Sequence, residues 1–316
     1  MKVSLIEPLN VSEEIIQGYK KQIEDLGHEF TYYNEKTTDK DELVRRSLGQ
    51  DIVMIANNPY PAEVITQLDD LKLLNVAFTG VDHVGLDSLK EKKIDLCNAS
   101  GYSDIAVAEL VLGLVIGLYR NMIVADSSVR QSGLAIMGKE ISGKTVGIIG
   151  TGNIGLKTAN LFTCLGAKVI GYDLTEDPKF LGLGGEYESI ENLLRTSDII
   201  SIHLPNTVAT RSFIGKEELD FMKESAILIN CARGPIVDNE ALAKALDQGE
   251  IAGAGVDVFD MEPPIPLDYP LLKAKNTILT PHLAYLSQES MLRRAKIAFD
   301  NTLSYLKGQG KNLIDL

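Results

Sequence analysis

The sequence predicts an α/β protein built from two doubly wound domains, each with a parallel sheet. Apolar runs of strand length alternate with helical patterns along most of the chain, and this alternation is typical of parallel sheets covered by helices on both faces. The alternation is interrupted once, by a long apolar helical pattern over 105–132. The length of 316 residues also suits about two domains.

The alternating pattern assigns each strand in turn. We expect the strands of the first set at 2–6, 30–33, 52–55, 75–78 and 94–97, with a helix that begins near Ser12. The second set is expected at 145–149, 168–172, 199–203, 227–230, 253–258 and 277–279. A closing helix follows at 288–306, and its packing partner is not visible from the pattern. The boundary between the sets falls near 99–103.

Charge and cysteine content exclude several classes of partner. The net charge is −13, whereas binding to nucleic acid or an anionic membrane needs an excess of lysine and arginine. Cys97, Cys164 and Cys231 form neither a CxxC pair nor part of a metal cluster, so we expect small buried cysteines in a reducing cytosol and no metal site. The N-terminus has a strand pattern, and the apolar run 106–119 is shorter than the roughly 20 residues of a membrane span. These features predict a cytoplasmic protein.

A glycine-rich turn follows the first strand of the second set. Gly150-Thr151-Gly152-Asn153-Ile154-Gly155 joins a buried strand to a helical pattern. Gly150 permits a tight turn, Gly152 lets the backbone approach a pyrophosphate, and Gly155 lets the helix pack closely on the strand. The N–H groups at the start of the helix then face the phosphates. The context predicts a Rossmann dinucleotide-binding domain; the alternative is a purely structural turn.

A carboxylate at the end of the next strand predicts which dinucleotide binds. Asp173 follows the strand 168–172, where an acidic side chain accepts hydrogen bonds from the ribose hydroxyls of NAD and repels the 2′-phosphate of NADP. The next residues, Leu174 and Thr175, offer no cation to such a phosphate. NAD is therefore the predicted cofactor.

Four histidines compete for the chemistry. His28 follows a helix stop and His83 lies in a turn, so both are interpreted as structural. His203 ends one strand and His282 follows the last strand, which places both at the carboxyl edge of the second sheet, where open α/β sheets bind ligands. Geometry alone does not separate these two, although a cofactor-lining position suits His203 better.

The residues at neighbouring strand ends favour His282. Arg233 follows the strand 227–230, and a segment with Asp260 and Glu262 follows the strand 253–258. Reduction of a 2-oxo acid needs a hydride, a proton for the carbonyl oxygen and a cation for the carboxylate. Arginine binds a carboxylate through two oxygens at once. Histidine titrates near pH ~6.5, and a neighbouring carboxylate keeps its protonated form available.

Taken together, the ordered motifs resemble those of the D-isomer-specific 2-hydroxyacid dehydrogenases over nearly the whole chain. The similar segments are Thr79 to Val84, Gly101 to Glu109, Gly147 to Gly155, Ser201 to Pro205, Asn230 to Gly234, Gly255 to Phe259, Glu262-Pro263 and Pro281-His282. The resemblance implies a flavodoxin-like catalytic domain, formed discontinuously by 1–100 and 286–316. It further implies a Rossmann NAD-binding domain at 101–285, and a homodimer formed through that domain, with the helix at 105–132 as the interface.

The same resemblance implies a role for each site residue. Arg233 would bind the substrate carboxylate and polarise its carbonyl, while Glu262 would pair with His282, the proton donor. Asp257 would contact the nicotinamide carboxamide, Asp173 the ribose, and Leu204 and Pro205 the adenosine side. The implied cofactor contacts are Gly150, Gly152, Asn153, Ile154, Gly155, Asp173, His203, Leu204, Pro205, Cys231, Ala232, Arg233, Asp257 and His282. The implied substrate contacts are Thr79 and Gly80, through backbone groups, with Arg233 and His282.

Departures from the family pattern leave the substrate open. Many members have tryptophan where this chain has Leu134, and a glycine pair where it has Leu283-Ala284. The segment Asn57-Asn58 could approach the substrate. Lactate, glyoxylate, hydroxypyruvate and phosphoglycerate-type substrates all remain, the last less expected because this sequence shows no C-terminal regulatory domain.

Two other functions share the fold. One is an NADH-sensing, corepressor-like binding protein, which would bind the dinucleotide without turnover. The other is formate dehydrogenase chemistry, which needs no proton donor and is disfavoured here because those enzymes have glutamine at the position of Glu262.

Overall fold

The computed structural model describes residues 1–262 and 264–316 and confirms two α/β units with parallel sheets. Unit 1 comprises Met1–Ser103 and Leu286–Leu316, and unit 2 comprises Asp104–Tyr285. Pro263, part of the Glu262-Pro263 motif, lies outside the described residues.

Unit 1 has a five-stranded parallel sheet in the order β2-β1-β3-β4-β5, which is the flavodoxin-like order. Its strands are β1 (Lys2–Leu5), β2 (Glu29–Tyr32), β3 (Ile52–Ile55), β4 (Leu73–Val76) and β5 (Asp95–Asn98). Its helices are α1 (Glu13–Asp25), α2 (Lys40–Ser47), α3 (Ala62–Ile65), α4 (Leu86–Lys92) and α12 (Gln288–Leu306). Strands β3 and β4 are buried along their whole length, as expected for strands covered on both faces.

The closing helix α12 packs on unit 1. The ring of Phe299 stacks on Tyr19 with 4.2 Å between the centroids. The buried amide of Asn75 in β4 donates to the carbonyl oxygen of Ala298 at 2.7 Å and to the hydroxyl of Thr302 at 2.8 Å. Both contacts join residues far apart in the sequence, which explains why the local pattern of α12 could not show its partner.

Unit 2 has a seven-stranded parallel sheet in the order β12-β11-β10-β9-β6-β7-β8. Its strands are β6 (Thr145–Ile149), β7 (Lys168–Tyr172), β8 (Glu186–Tyr187), β9 (Ile199–Ile202), β10 (Ile227–Asn230), β11 (Gly253–Val256) and β12 (Thr277–Leu279). Its helices are α5 (Asp104–Tyr119), α6 (Met122–Arg130), α7 (Asn153–Cys164), α8 (Pro178–Gly182), α9 (Ile190–Thr196), α10 (Lys216–Asp220) and α11 (Asn239–Gln248). Short 3₁₀ turns lie at Gly234–Ile236 and Pro270–Leu272. Counted from β6, the order is that of the Rossmann fold with one added strand.

Unit 2 also differs from the sequence-based expectations in three respects. The single helix predicted over 105–132 is two helices, because Asn121 adopts a left-handed conformation with φ of 52° at the start of α6. The short strand β8 was not predicted, since two residues are too few for an alternating pattern. Cys97 and Cys231 are buried, but the expectation of buried cysteines is wrong for Cys164, which is exposed at the end of α7.

No single helix among the described residues has the length and apolar character needed to cross a membrane. Helices α5 and α6 would meet that test of length and composition only as a pair, and they are bent by 53° at the break between them.

Candidate active site

The glycine turn between β6 and α7 has a close-packed backbone. Gly150 has φ of 94°, a conformation that L side chains rarely adopt. A Cβ on Gly150 would also lie 2.8 Å from the carbonyl oxygen of His203, and one on Gly155 would collide with the carbonyl oxygen of Gly150. A Cβ on Gly152, by contrast, would project into open space. Gly150 and Gly155 therefore allow the tight packing of the turn, and Gly152 leaves open space at the N-terminus of α7.

That room fits the pyrophosphate of a dinucleotide. The N-cap of α7 is Gly152, which has no side chain to accept from the first N–H groups of the helix. The amides of Asn153, Ile154 and Gly155 are thus available to phosphate oxygens, and the positive end of the helix dipole favours the negative charge there.

The carboxylate of Asp173 lies directly beside the glycine turn. Its Oδ2 accepts from the backbone N–H of Thr151 at 2.7 Å and from the Thr151 hydroxyl at 3.2 Å. The neighbouring Leu174 is 95% exposed. The structure therefore places an acidic acceptor next to the turn, where the ribose of NAD needs one.

The two competing histidines differ in their electrostatics. Desolvation lowers the pKa of His203 to about 3, and its Nε2 lies 2.9 Å from the hydroxyl of Ser201. A neutral imidazole keeps one N–H, but this group is too weak an acid to transfer its proton at physiological pH. His203 is thus suited to lining a site and not to proton donation.

His282 has the partner that a proton donor needs. Its Nδ1 lies 2.9 Å from both carboxylate oxygens of Glu262. The histidine side chain is only 12% exposed, while that of Glu262 is 68% exposed. The ring of Tyr285 contacts the imidazole edge-on, with 5.3 Å between the centroids. The carboxylate of Glu262 thus fixes the orientation of the imidazole through Nδ1.

Asp257, just beyond β11, anchors the segment that carries His282. It is fully buried, and its carboxylate accepts from the hydroxyl of Thr280 at 2.5 Å and from the N–H groups of Leu283 and Ala284 at 2.9 Å each. Its carbonyl oxygen also accepts from the N–H of His282 at 2.8 Å. Burial raises the pKa of Asp257, and the bonds from these groups oppose that rise. The contacts surround His282, which has a positive φ of 53°.

Arg233 lies in a turn braced by its neighbours. The buried side chain of Asn230, at the end of β10, donates to the carbonyl oxygen of Arg233 at 2.9 Å and accepts from the N–H of Ala232 at 3.0 Å. A Cβ on Gly234 would collide with the carbonyl of Phe259. The arginine turn therefore packs against the segment that continues to Glu262, and unit 2 brings Arg233, Glu262 and His282 to the carboxyl edge of one sheet.

The remaining predicted residues fall at strand ends of their own units. In unit 2, Leu204 lies beside Gly150, Pro205 is exposed, and Cys231 and Ala232 continue β10. Burial raises the pKa of the Cys231 thiol, so this cysteine is present as the thiol. Among the described residues, no group of three His, Cys, Asp or Glu side chains could hold a metal ion.

Thr79 and Gly80 lie in unit 1, just after β4. The amide of Asn98 donates to the carbonyl oxygen of Thr79 at 2.7 Å. Within residues 1–262 and 264–316, the N–H groups of Thr79 and Gly80 donate to no protein acceptor. These two amides are therefore available to an anion.

The site also contains residues whose positioning role the sequence analysis did not predict. Asn230 and Thr280 brace the arginine and histidine segments, and Asp260 accepts from Asn239 at 2.9 Å and from Tyr269 at 2.8 Å. Asn230 carried a detectable signal, because it is a polar residue at the end of an otherwise apolar strand. The partners of Thr280 and Asp260 lie on other segments and could not be read locally.

The comparisons with known proteins define the class. Residues 112–284 match the family model of the D-isomer specific 2-hydroxyacid dehydrogenase NAD binding domain. A glyoxylate reductase of Thermofilum pendens is 36% identical over 280 residues, covering 85% of this chain and 82% of the relative. The chain therefore belongs to the D-isomer-specific 2-hydroxyacid dehydrogenase family. It is an NAD-dependent oxidoreductase that interconverts 2-oxo and 2-hydroxy acids.

Two solved structures share the whole fold. A D-lactate dehydrogenase of Aquifex aeolicus, complexed with NAD and lactic acid, has a TM-score of 0.84 and 28% identity, with 98% of this chain and 96% of that chain covered. An acyclic imino acid reductase, Bsp5, complexed with NADPH and D-Arg, has a TM-score of 0.90 and 30% identity, with both chains fully covered.

The low pKa of His203 predicts an acid-dependent loss of stability. The pKa is about 3 in the folded chain against its usual 6.5, so between these values the unfolded chain binds the extra proton. The free energy of unfolding should fall as pH decreases through this window, by at most ~1.4 kcal/mol per pH unit from this group. Urea unfolding near pH ~5 and pH ~7.5 should show a smaller difference for His203→Gln than for the wild type.

The control is His28→Gln, which changes a histidine in unit 1 and should leave the wild-type difference intact. An equal pH dependence for His203→Gln and the wild type would contradict the assigned desolvation of His203.

Proposed function

We propose that this chain reduces a small 2-oxo acid to the D-2-hydroxy acid, with Arg233, Glu262 and His282 as its catalytic residues. The supporting observation is the His282–Glu262 pair, in which Nδ1 lies 2.9 Å from both carboxylate oxygens. The turn of Arg233 follows β10 at the same edge of the sheet, in a unit whose glycine turn fits a dinucleotide. A proton donor and a carboxylate-binding cation are the two groups that 2-oxo acid reduction requires of the protein.

Each side chain has a distinct task in this proposal. Bound NADH supplies the hydride. Arg233 binds the substrate carboxylate with its planar guanidinium and polarises the carbonyl. His282 donates the proton to the carbonyl oxygen from Nε2, while Glu262 stabilises the imidazolium through Nδ1. Thr79 and Gly80 contribute their available amides to the substrate carboxylate.

The proposed cofactor contacts lie at the carboxyl edge of the sheet in unit 2. The glycine turn, with Asn153 and Ile154, holds the pyrophosphate, and Asp173 binds the ribose. Leu204 and Pro205 line the adenosine side, beside His203. Asp257 is a predicted contact of the nicotinamide carboxamide in addition to its observed bonds. Cys231 and Ala232, which follow β10, are also predicted cofactor contacts.

Substitution of the three catalytic residues separates catalysis from cofactor binding. We expect His282→Gln to lower kcat by about 10²- to 10⁴-fold, because general acid catalysis contributes about that factor. Arg233→Lys keeps the charge but loses two-point binding, so the substrate KM should rise; Glu262→Gln should lower kcat and change its pH profile. NADH fluorescence titration should show that His282→Gln still binds cofactor. A wild-type kcat in His282→Gln together with a wild-type substrate KM in Arg233→Lys would contradict the assignment.

A substrate panel identifies the acid that is reduced. NADH oxidation should be followed with pyruvate, glyoxylate, hydroxypyruvate, 3-phosphohydroxypyruvate and bulkier branched or aromatic 2-oxo acids. Turnover on at least one supports an enzyme. NADH binding without turnover on any of them would contradict the proposed substrate class.

We further propose that the chain forms a homodimer through α6 and the segment after it. Every residue of α6 is at least partly exposed, including Met122 at 55%, Ile123 at 59% and Val129 at 74%. Leu134 is 88% exposed and Met137 94%. Exposed apolar side chains clustered in this way mark an association surface.

Analytical ultracentrifugation tests the dimer. We expect the wild type to sediment as a dimer and Ile123→Glu with Val129→Glu to shift it towards monomer, because burying unpaired carboxylates is costly. Leu267→Glu, at another highly exposed leucine, is the matched control. A wild-type monomer would contradict the proposal.

The cytoplasmic location predicted from the sequence remains a prediction, to be tested by cell fractionation.

A further inference from the structure

Tyr187, in the short edge strand β8, is connected to Asp173 by hydrogen bonds. The Tyr187 hydroxyl lies 2.7 Å from the hydroxyl of Thr151 and accepts from the backbone N–H of Asp177 at 2.8 Å. The Thr151 hydroxyl in turn lies 3.2 Å from Oδ2 of Asp173. We propose that Tyr187 is a positioning residue for Asp173 and thereby sets the preference of the enzyme for NADH over NADPH.

The direction of each bond in this chain is fixed by chemistry. A backbone N–H can only donate, so the Tyr187 oxygen accepts from Asp177. A carboxylate oxygen only accepts, so the single hydroxyl proton of Thr151 goes to Asp173. The bond between the two hydroxyls is therefore donated by Tyr187. The donors therefore run in one direction, from Asp177 through Tyr187 and Thr151 to Asp173, and bonds aligned in this way polarise and strengthen one another.

Packing holds the ring of Tyr187 in the position that this chain needs. Phe180 is fully buried and lies 5.0 Å from the Tyr187 ring, centroid to centroid. A Cβ on Gly171 or Gly185 would lie within 3 Å of the Phe180 ring. The two glycines thus let Phe180 approach β7 closely, and the Phe180 ring packs against the ring of Tyr187.

As a result, Oδ2 of Asp173 is occupied by hydrogen bonds from Thr151, and Oδ1 is available to a ligand. Oδ2 takes both the N–H and the hydroxyl of Thr151. Among the described residues, Oδ1 accepts only the longer contact from the N–H of Thr175 at 3.4 Å. A carboxylate held in this orientation offers Oδ1 to the ribose hydroxyls and cannot turn away from a 2′-phosphate. This inference rests on the proposed contact of Asp173 with the ribose.

The test is the ratio of the dissociation constants for NADPH and NADH in Tyr187→Phe. This variant keeps the ring and its packing on Phe180 but removes the hydroxyl. NADH binding should weaken by about 3- to 10-fold, as expected for one lost hydrogen bond, while NADPH binding stays constant or tightens because the carboxylate is freer to turn. Fluorescence titration measures both constants, and the KM for NADH should rise more than kcat falls.

Thr151→Val removes the other hydroxyl of this series of hydrogen bonds and should lower the ratio of dissociation constants similarly. The double variant should show the same ratio as either single variant. This second variant also serves if Tyr187→Phe does not fold. The matched control is Tyr119→Phe, whose hydroxyl donates to the carbonyl oxygen of Asp198 at 3.3 Å at the amino edge of the same sheet and whose loss should leave the ratio unchanged.

The outcomes separate this inference from the proposed function. A wild-type preference for NADH that persists in Tyr187→Phe and Thr151→Val overturns the positioning role alone, even if the melting temperature falls. A wild type that prefers NADPH, or binds neither cofactor, overturns the assignment of Asp173 and this inference with it.

Discussion

The buried carboxylate of Asp257 is the constraint on which the candidate active site depends. A left-handed conformation such as that of His282 costs roughly 1–2 kcal/mol for a residue other than glycine. Hydrogen bonds to a charged group contribute about 1.5–3 kcal/mol each, and Asp257 accepts three of them through its side chain from Thr280, Leu283 and Ala284. These bonds hold the segment around His282 in that conformation, although burial of the carboxylate opposes part of their gain, and the imidazole of His282 lies against Glu262.

The parallel sheet is what makes this anchor possible. Strands β11 and β12 pair in parallel, with Val256 opposite Leu279, so the residues that follow both strands emerge at the same edge. The same geometry brings the turn after β10 and the glycine turn after β6 to that edge. Desolvation at that edge lowers the pKa of His203 and keeps it neutral, whereas the imidazole of His282 is hydrogen-bonded to the carboxylate of Glu262.

The features predicted correctly from sequence were those encoded locally. The strand β6, the glycine turn and α7 follow each other within a few residues, so their pattern could be recognised, and Asp173 follows the next strand directly. The family resemblance supplied the pairing of Glu262 with His282, which the structure shows. The unpredicted features depend on distant partners: Tyr187 matters because of Thr151, and Asp257 because of the segment 280–284. The break at Asn121 was missed because the apolar pattern continues across it.

The most direct test of this account is the single-turnover rate of NADH oxidation in Asp257→Asn, at saturating NADH and 2-oxo acid. Asparagine has nearly the same shape, but its amide can direct a donor towards the N–H groups that the carboxylate now binds, so the His282 segment should shift. We predict a rate about 10²-fold below the wild type, because a displacement of about 1 Å at a catalytic group costs about that factor. A wild-type rate in the folded variant would contradict the claim that Asp257 positions His282.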